Sequence, residues 1–153
     1  MNIEIEILEL KPELTLVYKA HTTNSKSDKV IKTGISMVSA YLEQLGVQPT
    51  GAPYVAYLNC AKDWSKFDVE VGFPVAEAVA EQDGLCMSQT HAGKAVVAMH
   101  QGSHRSLNTT YGKMFAFMQE HSLAFTGTFY DCYLTDPATT PTKEMQTKVI
   151  IPI

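Results

Sequence analysis

One carboxylate stands among large aromatic side chains. It is Asp131, in the run Thr126-Gly127-Thr128-Phe129-Tyr130-Asp131-Cys132-Tyr133-Leu134-Thr135-Asp136-Pro137. The run reads as a strand, opened by a Gly turn and stopped by Asp-Pro. Strand alternation gives it two faces. Phe129, Asp131, Tyr133 and Thr135 share one; Tyr130, Cys132 and Leu134 share the other. Either Asp131 points to water on a half-exposed sheet, or it sits in a tyrosine-walled pocket; the residue type favours the former, since Asp is seldom buried unpaired. In a pocket its chemistry is that of charge. A poorly solvated carboxylate complements a cation, and aromatic faces attract the same cation.

Other residues could join it. Tyr57 lies on an earlier strand. Trp64 and Phe67 sit on or beside a polar loop, where a Trp is either a lid over a groove or a plug at its rim. Tyr111 is on a helix stripe with Leu107 and Met114, as a core tyrosine or a pocket wall. His100 and His104 flank Gly102, but two ligands without a third make a weak metal motif, so no metal or other cofactor is expected. Met37, Met87, Met99, Met114 and Met118 suit core packing and adaptable pocket walls alike. No nucleophile elbow is present.

The elements that must position these residues follow from periodicity. Residues 3–10 alternate as a strand, Lys11-Pro12 interrupts it, and Leu14 to Ala20 resumes it. Residues 21–28 read as a polar loop. A helix is expected from Lys29 to Leu45, with Ile31, Ile35, Val38, Leu42 and Leu45 as its stripe, Asp28 or Ser27 as its cap and Gly46 as its stop. Strands at Tyr54–Asn59 and Phe67–Val75 follow, then a connector over 76–84. Leu85 to Gln89 and Ala95 to His100 are extended. A helix from His104 to His121, the Asp131 strand and a last strand from Met145 to Ile153 complete the chain.

That order occurs twice, and the residues repeat with it. Gly51-Ala52-Pro53-Tyr54-Val55-Ala56-Tyr57-Leu58-Asn59 aligns with Gly127-Thr128-Phe129-Tyr130-Asp131-Cys132-Tyr133-Leu134-Thr135. Val71-Gly72-Phe73-Pro74-Val75 aligns with Val149-Ile150-Ile151-Pro152-Ile153, and Lys11-Pro12-Glu13 with His91-Ala92-Gly93. The repeat spans 3–75 and 83–153. Neither half can bury a sheet face and a helix stripe alone. The expected fold is α+β, with duplicated strand-helix-strand-strand halves in one antiparallel sheet. Both helices lie on one face, a groove runs along the junction, and 1–153 forms a single domain. Tyr57, Tyr133 and Asp131 are expected to face one cavity between the halves, away from the helices. Val55 recurs as Asp131, a charge that the first half lacks and structure alone does not require.

Charge and composition narrow the functions. Net charge is −4 with no basic cluster, so direct nucleic-acid binding is not expected. No apolar run is long enough to span a membrane, and the N-terminus lacks a signal-peptide pattern, so a cytoplasmic location is expected. Cys60, Cys86 and Cys132 are odd in number and form no Cys-x-x-Cys pair, which reads as reduced thiols.

The chain resembles the GyrI-like small-molecule-binding domain, the effector-binding domain of AraC- and MerR-type multidrug regulators. The resemblance rests on Val69-Glu70-Val71-Gly72-Phe73-Pro74-Val75, His100-Gln101-Gly102-Ser103-His104, Tyr111, the Asp131 run and the closing Thr147–Ile153. It implies the duplicated fold and an aromatic pocket whose acid meets lipophilic, cationic ligands. That acid is usually a glutamate in a Glu-x-Tyr context; here Asp131 and Tyr133 take those places, with about 1.4 Å less reach for want of a methylene. In regulators the DNA-binding segment precedes this domain. The present sequence begins inside the domain at Ile3, which implies a stand-alone form.

Three functions are then expected in order. The first is a sensor or sequestering module for amphipathic cations, with Asp131, Tyr133, Tyr57, Trp64, Phe67 and Tyr111 as the ligand-binding set. The second is hydrolysis of reactive cyclopropane-containing toxins, as in some relatives, with Asp131 as general base. The third is a protein-interaction role such as gyrase inhibition. A protein partner or homo-oligomer is compatible with each.

Overall fold

The computed structural model describes residues 3–82, 84–136 and 138–153; Pro137, read above as part of a strand stop, lies outside them. The chain forms β1 (Ile5–Leu10), β2 (Leu14–Thr23), α1 (Ser27–Leu45), β3 (Tyr54–Leu58) and β4 (Lys66–Pro74). It then repeats the order with β5 (Leu85–Gln89), β6 (Gly93–Gln101), α2 (Leu107–Glu120), β7 (Phe129–Tyr133) and β8 (Gln146–Pro152). All strands join one eight-stranded antiparallel sheet in the order β1-β6-β8-β7-β3-β4-β2-β5. The fold is thus α+β, as the pattern predicts.

The expected loop at 21–28 is the principal boundary error. β2 continues to Thr23 because β4 runs beside it, pairing His21 with Asp68 and Thr22 with Phe67. α1 consequently starts at Ser27, preceded by Lys26, and no side chain caps it. Ser27 Oγ instead donates to the Asn24 carbonyl (3.1 Å). The Asp131 strand is only Phe129–Tyr133. A 3-10 turn at His104–Ser106 precedes α2, held by Ser103 Oγ accepting from Ser106 N.

The strand order forces the sheet to curl. β1 is first and β2 seventh, which in a flat sheet would set them about 29 Å apart at the usual strand spacing. Only Lys11, Pro12 and Glu13 join them, a link that reaches at most about 14 Å. The register shows how the ends meet. β1 pairs with β6 from Ile5–Ala98 to Leu10–Gly93, and β2 pairs with β5 from Leu14–Gln89 to Tyr18–Leu85. The pairing resumes without offset, so the two breaks face each other. They are stapled by Thr90 N to Glu13 O (3.0 Å) and Glu13 N to Thr90 Oγ1 (2.8 Å). Gly72 lets β4 follow this curl: a Cβ there would lie 1.9 Å from the Leu16 carbonyl oxygen.

Both helices cover one face. Val38 and Leu42 of α1 pack on Leu16 and Leu85, and Ile31 packs on Val55, Val69 and Val71. Gly34 brings α1 close to β4, since a Cβ would sit 2.9 Å from that of Val71. Leu107, Met114 and Met118 of α2 pack on Val96, Ala98, Phe129, Val149 and Ile151. Leu45, expected in the α1 stripe, is exposed. On the opposite face Val17, Tyr54, Ala56 and Tyr130 are buried without a helix over them, inside the curl. Tyr54 satisfies its hydroxyl there by donating to Thr15 Oγ1 (2.9 Å).

Candidate functional site

The halves meet in three strand pairs, β1–β6, β2–β5 and β3–β7, and the register of the last, at the centre of the sheet, is symmetric. Val55 faces Asp131, Tyr54 faces Cys132, and Ala56 faces Tyr130. The two positions that align in the sequence repeat are therefore direct neighbours at the centre of the sheet. On its other side Asp131 neighbours Val149, as Val55 neighbours Val71. Asp131 is the charged member of an otherwise apolar central row, and only 1% of it is exposed.

Alternation then sets its surroundings. Phe129, Asp131 and Tyr133 point to the helix-covered side, because Phe129 belongs to the core beneath α2 while Tyr130 and Cys132 belong to the opposite cluster. A cavity of about 740 Å³ opens over Asp131, between the starts of the two helices. All six expected site residues line it: Asp131, Tyr133, Tyr57, Trp64, Phe67 and Tyr111. The cavity does lie between the halves, but the expectation that it turns away from the helices is corrected. α1 contributes Ser27 and Asp28, and α2 contributes Leu107, Asn108, Tyr111 and Phe115. The physical reason is the uniform helix coverage of one face, which the odd-numbered residues of β7 share.

The rings form a box. Tyr57 stacks on Phe129 at 4.4 Å (12° between planes) and meets Phe67 edge-on at 5.4 Å. Tyr111 meets Phe129 edge-on at 5.3 Å. Trp64 leans across from the first half onto Phe125 (5.6 Å), Phe129 (5.8 Å) and Phe115 (6.0 Å). It is 37% exposed, so it forms the cavity's outer wall. Its φ of 62° is left-handed, a conformation costly for a bulky side chain, and the turn is held by Trp64 N to Ala61 O (2.9 Å).

Electrostatics inside the box are one-sided. Tyr111 donates its hydroxyl to Asp131 Oδ2 in a short hydrogen bond. Asp131 Oδ1 is buried and has no partner within hydrogen-bonding distance. Burial raises the Asp131 pKa from 3.8 to about 7, while the Tyr111 and then the Tyr57 hydroxyl pull it back. Burial and the Asp131 charge push the Tyr111 and Tyr133 phenols up, and burial first does the same for Tyr57, so all three remain neutral donors. His104 packs its ring on Tyr133 (4.9 Å). Desolvation, then His100, lowers its pKa, which favours neutral imidazole. Among the described residues no Lys or Arg lines the cavity.

Several wall residues were not singled out from sequence for this role: Asn24, Ser27, Asp28, His104, Asn108, Phe115 and Phe125. The sequence places His104 beside His100 at the turn and at the start of the second helix. The two histidines in fact diverge: His100 points inward, its Nδ1 on Thr110 Oγ1 (2.6 Å) and its Nε2 on Ser103 O and Ser106 Oγ (both 3.0 Å). Among the described residues no three His, Cys, Asp or Glu side chains are placed to hold a metal. A smaller hollow of about 330 Å³ on the opposite face contains Asp68, which is already bound by His21 and by Asn59 Nδ2 (2.9 Å). Its charges are paired among themselves, unlike Asp131.

A curled antiparallel sheet with two helices over a central aromatic cavity defines a class of small-molecule-binding domain. The chain belongs to that class: the family of the GyrI-like small molecule binding domain matches residues 3–153. No curated protein matches the sequence. Among solved structures, the EcmrR C-terminal domain superposes with a TM-score of 0.84 at 16% identity, over 99% of this chain and 98% of that one. EcmrR in its DNA complex in EcmrR-RPo gives 0.83 at 15% identity; the match covers 98% of this chain and 57% of that one. A hydrolase encoded by lin2189 from Listeria innocua gives 0.66 at 13% identity, over 97% and 91%. SAV2435 bound to tetraphenylphosphonium gives 0.65 at 11% identity, over 97% and 93%. At these identities the likeness is one of fold. Among the described residues no helix is long and apolar enough to cross a membrane.

Proposed function

We propose that this domain binds lipophilic organic cations in the cavity over Asp131. The observation that carries the reading is the unpartnered Oδ1 of a carboxylate that is 1% exposed, in a cavity with aromatic walls and no Lys or Arg. An unmet buried acceptor is costly in the free protein, and a cation relieves that cost. The rings add their own attraction for positive charge and bury the apolar part of the ligand. Flat rings with few directional donors suit a set of cations rather than a single one, and SAV2435, of the same fold, was solved with a phosphonium cation. We read the twofold repetition as an internal duplication in which the second half acquired Asp131. In a cell such a module would serve as an effector sensor or a sequestering protein.

A second reading has its own support. A carboxylate whose pKa lies near 7, with tyrosine donors around it, is suited to act as a general base on water, and one protein of this fold is described as a hydrolase. Asp131 would then activate water toward an electrophilic, cyclopropane-type toxin held by the rings. One experiment separates the two. Tetraphenylphosphonium is titrated by calorimetry, and a panel of electrophilic toxins is incubated with the protein and followed by mass spectrometry. Saturable cation binding without product supports the binding module. Product formation that disappears in Asp131→Asn supports the hydrolase. Neither binding nor turnover would remove both readings.

A further inference from the structure

The cavity holds two carboxylates. Asp131 forms its floor, and Asp28, in the first turn of α1, belongs to the same wall at the solvent side. Their surroundings differ. Asp131 is enclosed by rings, whereas Asp28 is exposed and shares the rim with Asn24, Asn108 and His104. Tyr133 lines the same cavity as both carboxylates; burial first, then the Asp131 charge and more weakly that of Asp28, raise its pKa. Among the described residues no Lys or Arg of the wall neutralises either one. His104 is the only basic side chain among the described residues of the wall, and its partial burial disfavours the charged form.

From this placement we propose that the cavity prefers elongated ligands with two cationic centres, one boxed over Asp131 and the second at the rim beside Asp28. The proposal rests on the cation-binding reading above and specifies the ligand class for it. A monocation over Asp131 leaves the Asp28 charge uncompensated. A second ammonium at the end of an apolar linker meets it, with the Asn24 and Asn108 side chains available to a protonated amine. Asp28 also complements the positive end of the α1 dipole, a purely structural role that acts on stability and not on ligand choice. The two roles therefore give different readouts.

The test compares decyltrimethylammonium with decamethonium and with shorter bis(trimethylammonium) alkanes, titrated into wild type, Asp28→Asn and Asp131→Asn. In wild type one bis-cation should bind about fivefold more tightly than its monocationic counterpart, the scale of a partly exposed ion pair. That increment should shrink at high salt. Asp28→Asn should abolish the increment and leave the monocation within twofold, whatever its effect on melting temperature. Asp131→Asn should weaken both ligand types together. If the monocations bind and no bis-cation binds better, or if Asp28→Asn weakens mono- and bis-cations alike, the two-centre proposal is wrong while the cation site stands. If no cation binds at any concentration, the underlying reading fails and takes this proposal with it.

Discussion

At Asp131 burial and hydrogen bonding act in opposite directions, and burial dominates. The folded-state pKa is about 7, above the 3.8 of the unfolded chain. Between those values the folded protein holds a proton that the unfolded chain has lost. Stability therefore falls as pH rises from about 4 to about 7, and the contribution is complete only below the unfolded value. Asp131→Asn has no proton to lose. Its stability relative to wild type should rise by roughly 1–4 kcal/mol between pH 4 and pH 8, measured by urea unfolding. Parallel stability curves for the two proteins would show that Asp131 titrates normally. Tyr111→Phe removes the donor to Oδ2 and should move the wild-type inflection to higher pH in the same experiment. The sequence announces Asp131 through its type: a carboxylate on a strand of aromatics, where the aligned residue is Val55. It does not announce Asp28, Asn24 or Asn108, because polar residues at helix starts look alike whether they face solvent or a cavity.

Among the elements, β4 and the loop before it carry the most constraint. Gly72→Ala places a methyl group 1.9 Å from the Leu16 carbonyl oxygen, which backbone must move to accept. It should destabilise the protein by about 3 kcal/mol or more, or prevent folding, as thermal melting will show. A melting temperature within two or three degrees of wild type would mean that β2 and β4 can part without loss. Trp64 holds a left-handed φ and packs its ring against three phenylalanines. Trp64→Gly relieves the first and removes the second. Folding stability should change by less than about 1 kcal/mol, whereas cation affinity should fall about three- to tenfold as an aromatic wall is lost. Unchanged affinity would make Trp64 a surface plug and nothing more. As the chain's sole Trp, it also reports occupancy by quenching in the parent protein. Periodicity located nearly every element. It missed the extension of β2 through Thr23, because polar residues 21–23 carry no strand signal of their own and are held by pairing with β4.

For the whole molecule, the repeated element order was legible because each half repeats Tyr, Tyr and Leu at matching strand positions. The symmetric β3–β7 register places Val55 against Asp131 and turns that alignment into geometry. The curl was not legible. It follows from a three-residue link joining the first and seventh strands, a fact of topology and not of local pattern. The helix-covered position of the cavity was missed for the same reason. Recognition of positive charge by an ionised Asp131 in this box is read out by the dissociation constants of a matched cationic and neutral dye pair against pH. Wild type should bind the cation more weakly as pH falls below about 7, by up to tenfold per pH unit, and the loss should level off about 1–2 units lower, where the carboxylate protonates even with the cation bound. Asp131→Asn should lose about 1–3 kcal/mol toward the cation at pH 8 and show no such slope, while the neutral dye stays within twofold throughout. Equal losses for both dyes, or a pH-independent cation affinity in wild type, would mean that Asp131 is not the cation-recognising group.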